Sequence, residues 1–138
     1  MLITRKVEFS ASHVCHNPLL PEEENRALFG AAANPHGHGH NYVLEVTVEG
    51  APDPMTGMVL DLKQLKDTLH REVVEPYDHH FLNREVPPFD RVIPTTENLA
   101  IDIWNRLDPL LNNGRARLQC VRLYETGDFY VDYFGGAE

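Results

Sequence analysis

An alternation of apolar and polar residues with period two opens the chain. From Ile3, the odd positions Val7, Phe9, Ala11 and His13 share one face of an extended segment, because successive strand side chains point to opposite sides. A second alternation follows a long connection. His38, His40, Tyr42, Leu44, Val46 and Val48 take one face there, and Asn41, Glu45, Thr47 and Glu49 the other. Both stripes run into histidine, the first at its C-terminal end and the second at its start. Paired antiparallel, the two strands would bring those ends side by side and let the rings converge.

The period then changes. Between Asp61 and Glu75, the residues Leu62, Leu65, Leu69 and Val73 fall on one helical face, with Asp61 as N-cap and Pro76 as the stop. Asp53-Pro54-Met55-Thr56-Gly57 before it reads as a turn. A second helix is expected to begin at Thr95 or Thr96, to bury Leu99, Ile103, Leu107 and Leu110, and to end at Asn112-Asn113-Gly114. Glu97 suits the dipole of its first turn. Leu118 to Glu125 and Phe129 to Phe134 read as strands joined tightly through Thr126-Gly127-Asp128. The stretch from Val14 to Pro35 shows no period, and ordered connections of that length tend to be functional. The order strand, strand, helix, helix, strand, strand predicts an α+β fold, with residues 1–138 as one domain.

Composition removes several function classes. The formal charge is −9 with no basic run, which argues against a nucleic-acid surface. No apolar run approaches the roughly 20 residues of a membrane span, and the N-terminus reads as a strand rather than a signal peptide. Cys15 and Cys120 are too few for a disulfide framework, fit a reducing compartment and remain compatible with one bridge. The expectation is a cytoplasmic protein with neither nucleic acid nor membrane as partner. A phosphorylated small molecule would need gathered cations; Arg26, Lys63, Arg84, Arg91 and Arg122 are available, and the sequence does not choose among them.

A lone histidine on an apolar face is more often a hydrogen-bonded core residue than a metal ligand. The run His36-Gly37-His38-Gly39-His40 shifts that balance. Its glycines remove side chains from the opposite face and let backbone approach closely, while the three imidazoles stay on one side. Parity does not decide which of His36, His38 and His40 would coordinate. The competing reading is an exposed His/Gly loop that binds metal adventitiously. Three neutral imidazoles suit zinc, and without a fourth protein ligand they leave a position for water or substrate, as catalytic sites do. An acceptor behind each ring should orient it.

Five segments taken together resemble one family. They are Phe9-Ser10-Ala11-Ser12-His13, Asn34-Pro35-His36-Gly37-His38-Gly39-His40-Asn41-Tyr42, Asp78-His79-His80, Pro94-Thr95-Thr96-Glu97-Asn98 and Tyr124-Glu125-Thr126. In this order they are similar to the 6-pyruvoyl-tetrahydropterin synthase and 6-carboxytetrahydropterin synthase family, over nearly the whole chain. The resemblance implies the tunnelling fold, a four-stranded antiparallel sheet with two helices on one face, assembled as trimers stacked into a homohexamer. It implies zinc on His13, His38 and His40, with His36 outside the set. It implies an acid and base pair at Asp78 and His79, a pterin anchor at Glu125, and Thr95 and Thr96 beside the pterin. Their ordinary readings are a backbone cap for Asp78, a solvated hairpin carboxylate for Glu125 and an N-cap for the threonines.

The implied reaction is loss of triphosphate from 7,8-dihydroneopterin triphosphate with internal proton shuttling, giving 6-pyruvoyl-tetrahydropterin. Relatives of the queuosine pathway release acetaldehyde and leave a 6-carboxy group. One part of the pattern is broken. The family's cysteine before the histidine run corresponds to Ala32 within Phe29-Gly30-Ala31-Ala32-Ala33-Asn34-Pro35, and a methyl group carries no proton. Cys15, two residues beyond His13, is one candidate to supply the thiol, if its pKa were lowered; otherwise it is a small buried hydrophobe. His79, His36 or His16 doing the proton work without a thiol is a second explanation. A protein that binds zinc and pterin without turnover is a third.

Overall fold

The computed structural model describes residues 1–136. Strands β1 (Leu2–His13) and β2 (His38–Gly50) pair antiparallel from Leu2 opposite Glu49 to His13 opposite His38. Strand β4 (Ala116–Thr126) pairs antiparallel with β2, and β5 (Phe129–Tyr133) with β4. All four expected strands are therefore present. A further strand, β3 (His80–Phe81), joins the far edge of β1 in parallel, so the sheet is mixed with the order β3-β1-β2-β4-β5. Two residues are too few to leave a periodic signal in sequence.

The alternation marks the core correctly. Val7, Phe9 and Ala11 of β1, Tyr42, Leu44, Val46 and Val48 of β2, and Leu118, Val121 and Leu123 of β4 are all buried, and Phe9 stacks on Tyr42 at 5.0 Å. Helix α5 (Thr96–Leu111) covers this face with Leu99, Ile103, Leu107 and Leu111. Leu111 replaces the expected Leu110, which is 44% exposed, because the buried stripe continues in steps of four. Thr95 caps this helix by accepting from the Asn98 N–H at 3.2 Å.

The earlier helix departs further from expectation. Helix α2 (Leu62–Leu69) is capped by Asp61, which accepts from the Lys63 N–H at 3.1 Å, but Leu62 faces solvent. Pro76 does not stop it. A wide π turn, His70–Val74, carries the helical backbone without a break through Pro76 into a short helix α3 (Glu75–Tyr77). Val73 and Tyr77 thereby both remain in the core.

The long connection after β1 is also ordered. It holds helix α1 (Glu22–Phe29) and a 3₁₀ turn (Gly30–Ala33). The only buried residue of α1 is Asn25, so no apolar period announces it. The Asn25 amide accepts from the Asn17 N–H and donates to the carbonyls of Asn17 and Leu20. After β3 comes one more short helix, α4 (Leu82–Glu85). Cys15 and Cys120 are free and buried. Among the described residues no helix is long and apolar enough to cross a membrane.

Gly135 follows β5 with φ 82°, and a Cβ there would collide with the Trp104 ring. Gly135→Ala should therefore cost about 1–3 kcal/mol and lower the melting temperature by roughly 3–10 °C. An unchanged calorimetric transition would contradict this packing.

Candidate functional site

The register of β1 against β2 sets His13 directly opposite His38, with His40 one pleat further along the same face. The Nε2 atoms of His13 and His38 approach to 3.1 Å, and the ligand atoms of all three histidines lie within 4.8 Å of one another. A tetrahedral metal with bonds of about 2.0–2.1 Å would separate its nitrogens by roughly 3.3 Å. The donor set fits a metal ion in spacing and kind.

Hydrogen bonding and burial prepare these nitrogens. His13 is fully buried, and its Nδ1 donates to the Pro94 carbonyl at 2.7 Å, which fixes the tautomer and leaves the Nε2 lone pair facing the other rings. Burial is the chief cause that pushes the pKa of both His13 and His38 down, and the neighbouring imidazoles add to it. The rings are thus held neutral, the form a metal needs. The Nε2 of His40 is buried without a hydrogen-bond partner, an orphan that a bound cation would satisfy. His36 is exposed and lies outside the group.

Gly37 supplies the turn into β2 with φ 78°. A Cβ on it would contact Phe81 at 3.4 Å and the His13 carbonyl at 3.5 Å. What this glycine admits is the end of β1 itself.

Glu125 joins this group. Its Oε1 lies 3.8 Å from His13 Nε2 and 3.6 Å from His40 Nε2. Cys15 does not reach the same side. Its Sγ sits 4.0 Å from His13 Nδ1, behind the ring, and burial together with Glu125 and Glu97 pushes its pKa up to about 11. The lowered pKa that would make Cys15 a thiolate base is therefore absent. Its backbone N–H donates to the Ala32 carbonyl at 2.9 Å, so Ala32 packs against the exit of β1.

Asp78 and His79 form a pair, with Oδ2 2.9 Å from Nδ1. The Ser10 N–H, bonded to Asp78 Oδ1 at 2.8 Å, is the main cause that holds the carboxyl below its usual range, and His79 adds to it. His79 has φ 60°, an uncommon conformation for a residue with a side chain, and its N–H donates to the Ser10 carbonyl at 2.6 Å. The pair lies apart from the histidine group of its own chain. His79 is largely exposed and lines a shallow pocket at the edge of β1 with Ser10, Ser12, Asn41 and also His40. Among the described residues no hydrogen bond, ion pair or ring contact joins it to His13, His38 or His40. Thr95 accepts from the Asn98 N–H as the helix cap, and Thr96 beside it is buried at 2% exposed.

Two supports escape sequence reasoning. The Pro94 carbonyl is one, since a backbone acceptor carries no side-chain signature. Asn83 is the other. Its amide accepts from the Val14 N–H at 2.8 Å and donates to the Val14 carbonyl at 2.9 Å, continuing the strand ladder beyond β3 and fixing the peptide that follows His13. An asparagine in an aperiodic segment gives no hint of that contact.

Comparison with known proteins agrees with this geometry. The family model described as 6-pyruvoyl tetrahydropterin synthase matches residues 2–136. Human 6-pyruvoyl tetrahydrobiopterin synthase is 45% identical over 133 residues, covering 96% of this chain and 90% of that protein. The solved structure of Caenorhabditis elegans 6-pyruvoyl tetrahydropterin synthase superposes with a TM-score of 0.92 at 36% identity, covering 99% of this chain and 96% of that one. The 6-carboxy-5,6,7,8-tetrahydropterin synthase of Rickettsia conorii is 28% identical over 145 residues, covering 94% of this chain and 96% of its own.

The raised thiol pKa values have a direct consequence. Burial holds Cys120, like Cys15, near a pKa of about 11. A raised pKa keeps the protonated form at neutral pH, so alkylation by iodoacetamide at pH 8 should run roughly 100-fold slower than for free cysteine. Rapid labelling of Cys15 in the folded protein would show a thiolate this environment does not favour.

Proposed function

The chain belongs to the 6-pyruvoyl tetrahydropterin synthase family, and we propose that it is a zinc-dependent carbon–oxygen lyase converting 7,8-dihydroneopterin triphosphate to 6-pyruvoyl-tetrahydropterin. Family membership makes it a pterin-processing lyase of the tunnelling fold. The observation that carries the metal assignment is the convergence of three imidazoles on one point, with the His40 Nε2 buried and unpartnered there. Zinc on His13, His38 and His40 would supply Lewis acidity toward the hydroxylated side chain of the substrate. The pyruvoyl product is favoured over the 6-carboxy product because the human relative named for the former is 45% identical and the Rickettsia relative named for the latter 28%.

The protein's own groups do the rest. Asp78 accepts from His79 Nδ1, fixes the tautomer and leaves His79 Nε2 to take up and return protons. Glu125 presents two carboxylate oxygens to the amino and N3 hydrogens of the pterin, a bidentate match. This assignment removes the need for a thiol, since Cys15 is a protonated side chain behind His13 and Ala32 has nothing to ionise. Among the described residues no hydrogen bond, ion pair or ring contact joins Asp78 and His79 to the histidine group of their own chain, and in a homohexamer they would serve the metal centre of a neighbouring chain. Ala32 also favours a second reading, in which the protein binds zinc and pterin and does not turn the substrate over.

Incubating the zinc-loaded protein with 7,8-dihydroneopterin triphosphate and identifying products by mass spectrometry decides between them. Release of triphosphate with a 6-pyruvoyl product is expected. Acetaldehyde and a 6-carboxy product would assign the other branch, and unchanged bound pterin would favour the binding protein.

The sharing of sites between chains has its own test. His38→Ala and His79→Ala should each lower kcat about 10²–10⁴-fold, and co-expressed in mixed oligomers they should regain a measurable fraction of activity. Mixed oligomers no more active than either parent would place the pair and the metal in one chain.

A further inference from the structure

Glu125 continues the face of β4 that carries the buried Val121 and Leu123, one residue beyond the pair Val43 and Tyr124. Tyr124 pairs with Tyr130 and Thr126 with Phe129, which leaves Glu125 as the extra residue of a β-bulge. Bulges re-aim a side chain and recur next to active sites. Here the bulge sits at the end of β4, and the carboxylate lies 3.6 Å from His40 Nε2 and 3.8 Å from His13 Nε2.

The contact cannot be an ordinary hydrogen bond. Both distances exceed hydrogen-bond length, and His13 has committed its proton to the Pro94 carbonyl through Nδ1. A carboxylate oxygen therefore faces the lone pair of His13 and the unpartnered Nε2 of His40. A carboxylate oxygen and that His13 lone pair repel in a partly buried setting unless a cation lies between them. His38 completes the nitrogen set, and Glu125 makes no ion pair with it. The carboxylate thus stands at the rim of the ligand set, with 24% of its side chain open to solvent.

We propose that Glu125 is a fourth, exchangeable ligand of the metal centre, closing it at rest and leaving it when an incoming pterin claims the carboxylate. The proposal rests on the metal and pterin assignments made above. It deepens them by coupling recognition of the ring to opening of the metal. A flat heterocycle offering two adjacent N–H donors would be the class of ligand able to draw the carboxylate away, whereas a molecule with hydroxyls alone would not.

Cobalt(II) reads this directly, because its visible absorption reports ligand number and type. Wild-type protein and the Glu125→Gln and Glu125→Asp variants would be loaded with Co²⁺, with far-ultraviolet circular dichroism as the control for folding. Glu125→Gln should shift the visible bands and weaken Co²⁺ binding about tenfold, and Glu125→Asp should restore part of both. Saturating 7,8-dihydroneopterin should then erase the spectral difference between wild type and Glu125→Gln, since the carboxylate has left the metal. Identical spectra without pterin, or a difference that survives its addition, would overturn the proposal and leave the lyase reading standing. Failure of the wild-type protein to take up Co²⁺ would instead remove the metal assignment on which it rests.

Discussion

The register between β1 and β2 is the constraint on which the site depends. A strand alternates faces with period two, so a slip of one residue would turn His13 away from His38 and expose the core face of the whole strand. The pairs Val7 with Leu44 and Phe9 with Tyr42 prevent that slip, because all four side chains are buried under α2 and α5. Core packing and ligand geometry are thus one requirement. The stripe that drives folding ends in the residues that gather at the site, and His13 is as completely buried as the leucines beneath it.

Around this pair the chain places three supports that arrive from distant sequence. Pro94 holds the back of His13, Asn83 holds the peptide that follows it, and Asp78 with His79 grips both backbone groups of Ser10. Side chains of Asp78 and Asn83 stand at either end of the two-residue strand β3 and extend its ladder along the edge of β1. An edge that would otherwise offer unpaired groups is covered over the segment that carries the first histidine. The left-handed backbone of His79 is the local cost of this arrangement, offset by its bond to Ser10.

Much of this was legible from sequence, and for stated reasons. Alternation around Phe9 and Leu44 reveals strands because both have one buried and one wet face, and Asp61 and Thr95 announce their helices through capping chemistry. The histidine group could be read because its members sit on those same alternating faces. Helix α1 could not, since its buried residue is a polar hub, nor could the passage through Pro76, which depends on a π turn. Leu62 and Leu110 show the limit of apolar periodicity: a residue at the fringe of a helical stripe reads as core until the neighbouring element fixes the rotation. The placement of Asp78 and His79 at the edge of β1 against Ser10, and of Cys15 behind its histidine, are tertiary facts that motif spacing does not contain.

The central claim is that the converging rings of His13, His38 and His40 are the ligands of a metal, with the thiol of Cys15 outside the coordination sphere. X-ray absorption at the zinc edge of the zinc-loaded protein measures this most directly. The account predicts three imidazole scatterers at about 2.0 Å and no sulfur. A sulfur shell near 2.3 Å, or fewer than three imidazoles, would contradict it.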